Sequence, residues 1–361
     1  MELSRKKIAV VCNYELLPDR IGGMDHFFWA FDAACKQEGM TVDWFFPNTM
    51  SHPKYDQLHI ITPVDTDVTS FFSTYIQQHA YDVVCTHFVE LCTSFFKWVK
   101  TVLPACNVIA VDHNPRPING YPLKKQLKKR LKGMTYGKYI DQFIGVSEYT
   151  KRELIKDFGK GISSKVEVIY NGIVMPKALE KPKPKSNEQL RFVVVSHLRA
   201  SKGIQDLIQA VHQLPSGVKE QFHATVYGDG PYKEELLKLI FSLGLASQFD
   251  FKGSVANVGG LLQDYDYLIH PTHMECFSLT LLESLAMNLP VITTNVGGNT
   301  EVIKNAENGF IFNAGDVNAL QAILTQVLCN TLHVKEKDYS NLIKKQYTLE
   351  MMVANYMKLL R

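Results

Sequence analysis

Short β-rich runs alternate with amphipathic helical stretches along almost the whole chain, and no other feature constrains the fold as strongly. In the first half the candidate strands are Lys7–Cys12, Thr41–Phe46, Asp82–Cys85, Asn107–Val111, Gln142–Val146 and Lys165–Ile169. In the second half they are Arg191–Val195, His223–Tyr227, Phe249–Lys252, Tyr267–His270, Val291–Thr293 and Gly309–Phe312. Between them, Ile204, Leu207, Ile208, Val211 and Leu214 recur at helical spacing, as do Leu236, Leu237, Ile240 and Leu243. Strands that alternate with helices build parallel sheets covered on both faces. The expected fold class is therefore α/β, with two Rossmann-like doubly wound domains. Ligands of such sheets bind outside the carboxyl ends of the strands, so the domains are expected to face each other across a cleft.

The divide between the halves is marked by composition. Pro176 to Asn187 carries three prolines and five charges with no hydrophobic period, which reads as a linker. The expected organisation is an acceptor-binding domain over 1–172, a linker over 173–190, a donor domain over 191–345 and a terminal helix over 346–361 that packs back on the first domain. The chain has 361 residues, enough for two domains, and a net charge of +3, too small to argue for nucleic acid. No apolar run approaches the roughly 18 residues a membrane-spanning helix needs, and the run Ile8–Val11 ends at Cys12-Asn13, as a buried first strand would. The seven cysteines form no C-x-x-C pair. They read as reduced, mostly buried thiols in a cytoplasmic protein.

Chemistry concentrates in His270-Pro-Thr-His-Met-Glu-Cys-Phe-Ser-Leu-Thr-Leu-Leu-Glu283. A strand ends at His270, Glu275 lies in the following loop, and a helix is expected to begin near Ser278. The amides of Phe277, Ser278 and Leu279 would then be first-turn donors without intrahelical partners, suited to a phosphate or to sugar hydroxyls. Glu283 falls one to two turns into that helix. The plain alternative is that both glutamates are solvated, with Leu279, Leu281, Leu282 and Leu285 in the core. A second locus is Ser196-His-Leu-Arg-Ala-Ser-Lys-Gly203, a strand followed by a basic loop and a helix. Arg199 and Lys202 beside a helix start could neutralise a diphosphate leaving group. Tyr227-Gly-Asp-Gly-Pro231 follows another strand, with Gly228 and Gly230 allowing a tight turn and close backbone approach. An ordinary turn is an equal reading.

The pair Glu275 and Glu283, followed by Ala286, Pro290-Val291, Gly297-Gly298, Glu301 and Gly309, resembles the glutamate–seven–glutamate motif of retaining GT-B glycosyltransferases of family 4, the group 1 glycosyl transferases. Lys202 matches the lysine of that family's G-R-L-x-x-x-K-G loop, whereas His197 stands where arginine is usual and Arg199 lies two residues on. The resemblance implies sugar transfer from a nucleotide diphosphate sugar to a hydroxyl acceptor with retention, in glycan, cell-surface polysaccharide or glycolipid synthesis. It implies that Glu283 holds the donor ribose and that Glu275 faces the donor sugar. Gly228, Gly230, Lys252 and Gly253 would border the nucleotide base. In the first half, Gly22-Gly23 resembles the family's early glycine pair, whose amides approach the donor phosphates, and His113 resembles a histidine that reaches the reacting sugar. Asn114, Ser147 and Asn171 would line the acceptor side. No cofactor or metal is implied, since Asp264-Tyr-Asp266 and Asp65-Thr-Asp67 fit a D-x-D spacing only by chance.

From Gly120 to Lys138 there are seven basic residues and no acidic ones, with Leu123, Leu127, Leu131 and Met134 at helical spacing. Such a stretch over Lys124–Lys138 can rest on an anionic membrane, at the inner face of which the protein would be peripheral; the acceptor, a saccharide or a lipid-linked molecule, would then be lipid-linked or anionic. The plain alternative is a solvated helix whose leucines pack inward. Two rival functions remain at this level. A GT-B-like protein could bind sugar or nucleotide without turnover, and a nicotinamide-dependent oxidoreductase would share the sheets, although Asn13-Tyr-Glu-Leu-Leu after the first strand is not G-x-G-x-x-G.

Overall fold

The computed structural model describes residues 6–18, 21–176, 189–255 and 259–361. Most of the linker read from composition, 177–188, lies outside them. The chain forms two compact units, Met1–Val174 with Leu349–Arg361, and Met175–Thr348.

The first unit runs β1 (Lys7–Cys12), α1 (Gly23–Gln37), β2 (Thr41–Phe45), β3 (His59–Ile61), α2 (Val68–Tyr75), β4 (Val83–His87), α3 (Ser94–Val102), β5 (Asn107–Asp112), α4 (Leu123–Tyr136), β6 (Gln142–Gly145), α5 (Glu148–Phe158) and β7 (Val166–Val168). Its seven strands lie parallel in the order β3-β2-β1-β4-β5-β6-β7. β1 sits inside this sheet, and Ile8 through Cys12 are all buried, as an unbroken apolar run requires when both faces are covered. β3 is absent from the strands expected from sequence. It has three residues on the sheet edge, too few to show an alternation.

The second unit runs β8 (Arg191–Val195), α6 (Ile204–His212), α7 (Ser216–Lys219), β9 (His223–Tyr227), α8 (Lys233–Ser242), β10 (Phe249–Gly253), β11 (Tyr267–His270), α9 (Leu279–Ala286), β12 (Val291–Thr294), α10 (Asn299–Val302), β13 (Gly309–Phe312), α11 (Val317–Leu328) and α12 (Ser340–Gln346). Its six parallel strands are ordered β10-β9-β8-β11-β12-β13. Ile204, Leu207, Ile208 and Val211, one stripe of α6, are buried in its core with Leu320 and Leu324 of α11.

The final helix, α13 (Leu349–Leu359), belongs to the first unit. Tyr356 packs on Phe27 of α1 with ring centroids 4.8 Å apart, and Met357 Sδ lies 3.7 Å from Cys35 Sγ. Both sheets reverse direction of growth at one point: between β1 and β4 in the first, between β8 and β11 in the second. Crevices form at such points, and the motif loops of the second unit leave β8 and β11.

Candidate active site

The second switch point brings the two sequence motifs together. After β8, residues 196–203 loop into α6, and after β11, residues 271–278 loop into α9. The loops are joined by main chain: His273 N donates to Ser201 O at 2.8 Å, and Thr272 Oγ1 donates to the same oxygen at 3.3 Å. His273 Nε2 also stands 2.5 Å from Asp206 Oδ2 on α6. Gly203 takes φ +69°, and a Cβ there would fall 1.8 Å from Pro271 O, so only glycine allows the loops this close. Gly297, at φ +59°, serves the Glu275 loop in the same way, since its Cβ would meet Glu275 O at 2.1 Å. Gly228 and Gly230 let the turn after β9 touch the 196–198 backbone, and Leu198 N donates to Asp229 O at 3.0 Å.

On this frame Lys202 Nζ donates to Glu275 Oε2 at 2.8 Å. His270 Nε2 lies 3.7 Å from that oxygen, beyond hydrogen-bond reach, and has no nearer partner among the described residues. Burial alone would raise the Glu275 pKa, but His270 and the Lys202 ammonium outweigh it and hold the carboxyl at about 2. Burial lowers the His270 pKa, and the neighbouring Glu275 carboxylate works against that shift. Arg199 is exposed, with no side-chain partner among the described residues. Phe277 is buried against Tyr347, and Ser278 caps α9 by position without a side-chain capping bond. Leu279 is the first helical residue, so the amides of the first turn of α9 have no partner within the helix.

Glu283, the fifth residue of α9, is half-buried, and its carboxyl has no hydrogen bond or ion pair among the described residues. Burial pushes its pKa up to about 7. An acceptor held in this way awaits donors, and the vicinal hydroxyls of a ribose are donors of the right kind. Lys252, by contrast, pairs with Asp250 at 2.6 Å on the exposed end of edge strand β10, and a Cβ at Gly253 would meet nothing within 4 Å.

In the first unit the crevice is lined from β1, β4 and β5. Gly22 N donates to Asp25 Oδ2 at 2.8 Å, and the same buried carboxylate accepts from Tyr14 at 3.0 Å and Tyr55 at 2.5 Å. Asp25 thereby fixes the turn that presents Gly23 at the start of α1. His113, just past β5, stacks on Phe88 at 4.3 Å and places Nε2 3.0 Å from Nδ1 of His87, the last residue of β4. Burial lowers the His113 pKa to about 4, so the ring is neutral at physiological pH. Asn114 folds onto Asp112, its backbone N donating to Oδ1 at 3.0 Å. Ser147 is buried and accepts from Thr150 N at 3.1 Å as the cap of α5, and Asn171 Oδ1 is buried without a partner among the described residues. A groove of about 730 Å³ also opens here, lined by Asn13, Asp67, Ser70, Glu90, Lys97 and Trp98.

His87, His270 and Asp25 were not singled out from sequence. Each histidine is the last residue of a parallel strand, a position that points to the crevice in this fold class, and that signal was available.

Two family models divide the chain between them: Glycosyltransferase Family 4 matches residues 21–175, and Glycosyl transferases group 1 matches 177–348. The chain is 28% identical over 176 residues to the N-acetyl-alpha-D-glucosaminyl L-malate synthase of Bacillus anthracis, covering 47% of this chain and 45% of that one. It is 29% identical over 193 residues to a glycogen synthase of Mycobacterium tuberculosis, covering 52% and 45%. These matches span about half the length of the curated relatives. Among solved structures, Anabaena HepE in complex with UDP aligns with a TM-score of 0.77 at 17% identity over 98% of this chain and 99% of that one. The sucrose-phosphate synthase of Thermosynechococcus elongatus aligns with 0.78 at 17% identity over 99% and 98%. At this identity the likeness is one of fold, and it extends over both units. By sequence in each half and by fold throughout, the chain belongs to the group 1, family 4 glycosyltransferases of GT-B architecture.

Proposed function

We propose that the protein transfers a sugar, with retention of anomeric configuration, from a nucleotide diphosphate sugar to a hydroxyl acceptor in glycan, cell-surface polysaccharide or glycolipid synthesis. The observation that carries this is the Lys202–Glu275 pair at the β8/β11 switch point, with the unpartnered Glu283 carboxyl further along α9. Glycosyl transfer builds negative charge on the departing diphosphate and positive charge at the anomeric carbon. Lys202 and the exposed Arg199 meet the first, together with the N-terminal end of α9. Glu275, ionised at any physiological pH, meets the second. Glu283 accepts from the ribose hydroxyls.

Among the described residues Glu275 is paired with a lysine, not with a second carboxylate as in the acid–nucleophile pairs of retaining glycosidases. The reading is therefore a same-face displacement in which the leaving phosphate helps deprotonate the acceptor. No metal enters this scheme, because the cations that meet the phosphate are side chains of the chain itself. His113, neutral and fixed by His87, is assigned to a sugar hydroxyl. The groove beside Trp98 and Glu90, rich in hydroxyl and carboxylate groups, is assigned to a saccharide or lipid-linked acceptor. Fold neighbours crystallised with UDP and with UDP-glucose make a uridine diphosphate sugar the first donor to try.

The test begins with thermal shifts in UDP, GDP, UDP-glucose and UDP-N-acetylglucosamine. A ligand at a hundred times its Kd stabilises the folded state by about 2.7 kcal/mol. Donor hydrolysis or transfer is then followed by mass spectrometry for the wild type, Lys202→Ala and Glu275→Ala. Loss of turnover by about a hundredfold or more in both variants is expected. Nucleotide binding without turnover in the wild type would favour the pure binding protein, which His197 at the usual arginine position makes the second reading.

A further inference from the structure

Helix α4 is built inside out. At about 100° per residue, Leu123, Met134, Leu127 and Leu131 fall within an arc of about 80°. A stripe of this kind normally faces a core. Here Leu123 is 77% exposed, Leu127 65%, Leu131 62% and Met134 73%. The face that meets the protein is on the other side. Gly133 is the buried residue of α4, and a Cβ there would lie 2.0 Å from Phe158 O at the end of α5. Lys129 reaches Asp157 at 2.9 Å from that same side, and Lys132 reaches Glu90 at 2.6 Å. The alternative in which the leucines pack inward is thus overturned: a glycine and two lysine stems occupy the inner face, and the apolar ridge stands in solvent.

Cations flank the ridge. Lys124 and Lys128 border one edge and Arg130 the other, all exposed. Neither Lys124 nor Lys128 has an acidic partner among the described residues, and residues 120–138 contain no acid at all. The helix is 14 residues, about 21 Å long, far short of a span but long enough to lie in an interface. An apolar ridge between rows of unneutralised cations complements one surface in both of its properties, an anionic lipid bilayer with acyl chains beneath phosphates. Among the described residues no helix is long and apolar enough to cross a membrane, so contact through α4 would be surface contact.

We infer that α4 docks this protein on anionic membrane, the leucine ridge immersed at the acyl boundary and Lys124, Lys128 and Arg130 against lipid phosphates. The inference does not rest on the transferase reading, since none of these residues belongs to the site described above. The experiment uses the full chain with vesicles of phosphatidylcholine alone and with about one third phosphatidylglycerol. Co-sedimentation is expected to favour the anionic vesicles at least tenfold and to weaken in high salt. Lys124→Ala and Lys128→Ala should each weaken partition about fivefold. Leu127→Ser with Leu131→Ser should abolish it while the melting temperature and soluble donor turnover stay at wild-type values. Tryptophan emission from Leu127→Trp should shift to the blue on anionic vesicles and be quenched by brominated acyl chains. Equal binding to neutral vesicles, or wild-type binding by the double serine variant, would overturn the inference. So would a wild-type dimer that the serine variant dissolves, without any vesicle binding, because the ridge would then be covered by a second copy.

Discussion

Replacing Glu283 with glutamine keeps the shape of the side chain and removes the only charge in α9. The free carboxyl ionises near 4.5 and the folded one near 7, a displacement worth roughly 3 kcal/mol. Between those values the unfolded chain holds fewer protons than the folded one, so stability falls as pH rises through the window. Below it the carboxyl is neutral in both states and nothing is lost; above it the whole cost is present. Glu283→Gln does not titrate. Without ligand it should therefore gain up to roughly 3 kcal/mol at pH 8, or about 6–10 °C in the transition of a unit this size, and gain nothing near pH 4. A nucleotide should reverse the order, because ribose hydroxyls are better satisfied by a carboxylate than by an amide. The assay is the melting temperature of both proteins from pH 4 to pH 8.5, with and without UDP. Calorimetry near pH 6.5 in buffers of different ionisation enthalpy adds a second reading: the terminal phosphate of UDP releases protons on binding to either protein, and the wild type should release more than the variant by the proton displaced from Glu283. If both proteins show the same pH profile, or the variant is the less stable at pH 8, the carboxyl is neither unpartnered nor waiting for a ligand.

Two further outcomes follow from the geometry. Gly297→Ala places a Cβ 2.1 Å from Glu275 O at φ +59° and should cost at least about 2 kcal/mol in thermal unfolding along with most turnover, whereas Gly217→Ala, with open space around it, should be nearly neutral. His87→Phe keeps a ring among Phe27, Phe28 and Tyr356 but removes the 3.0 Å contact that positions His113; kcat should fall about tenfold with the donor KM little changed, while an equal fall after His113→Ala in the same background would show that the two histidines act separately.

Buried parallel strands are readable because both faces are covered and the apolar run is continuous; β1, β8, β9 and β11 fall on the residues expected from sequence. β3 has no such run. Glu275 and Lys202 could be picked out by the motifs they stand in, but their pairing at 2.8 Å could not, because it depends on residues 73 positions apart being drawn together where the loops meet at Gly203. The charge state of Glu283 was equally hidden, since sequence shows a carboxyl and not the absence of a partner. Helix α4 is the instructive case. Periodicity located its apolar stripe, yet periodicity has no inside or outside. The missing side chain at Gly133 decided the question by letting the Phe158 carbonyl in.

In the second unit, the glycine contacts make the candidate site a main-chain casting. Its loops touch backbone to backbone at Gly203, Gly228, Gly230 and Gly297, so their positions do not depend on which rotamers the neighbouring side chains adopt. Residues that project from this casting, such as Met274 or Thr280, can change without moving it. A library that randomises such positions and leaves the four glycines intact should yield mostly folded proteins with altered sugar selectivity, whereas one that touches the glycines should yield mostly none.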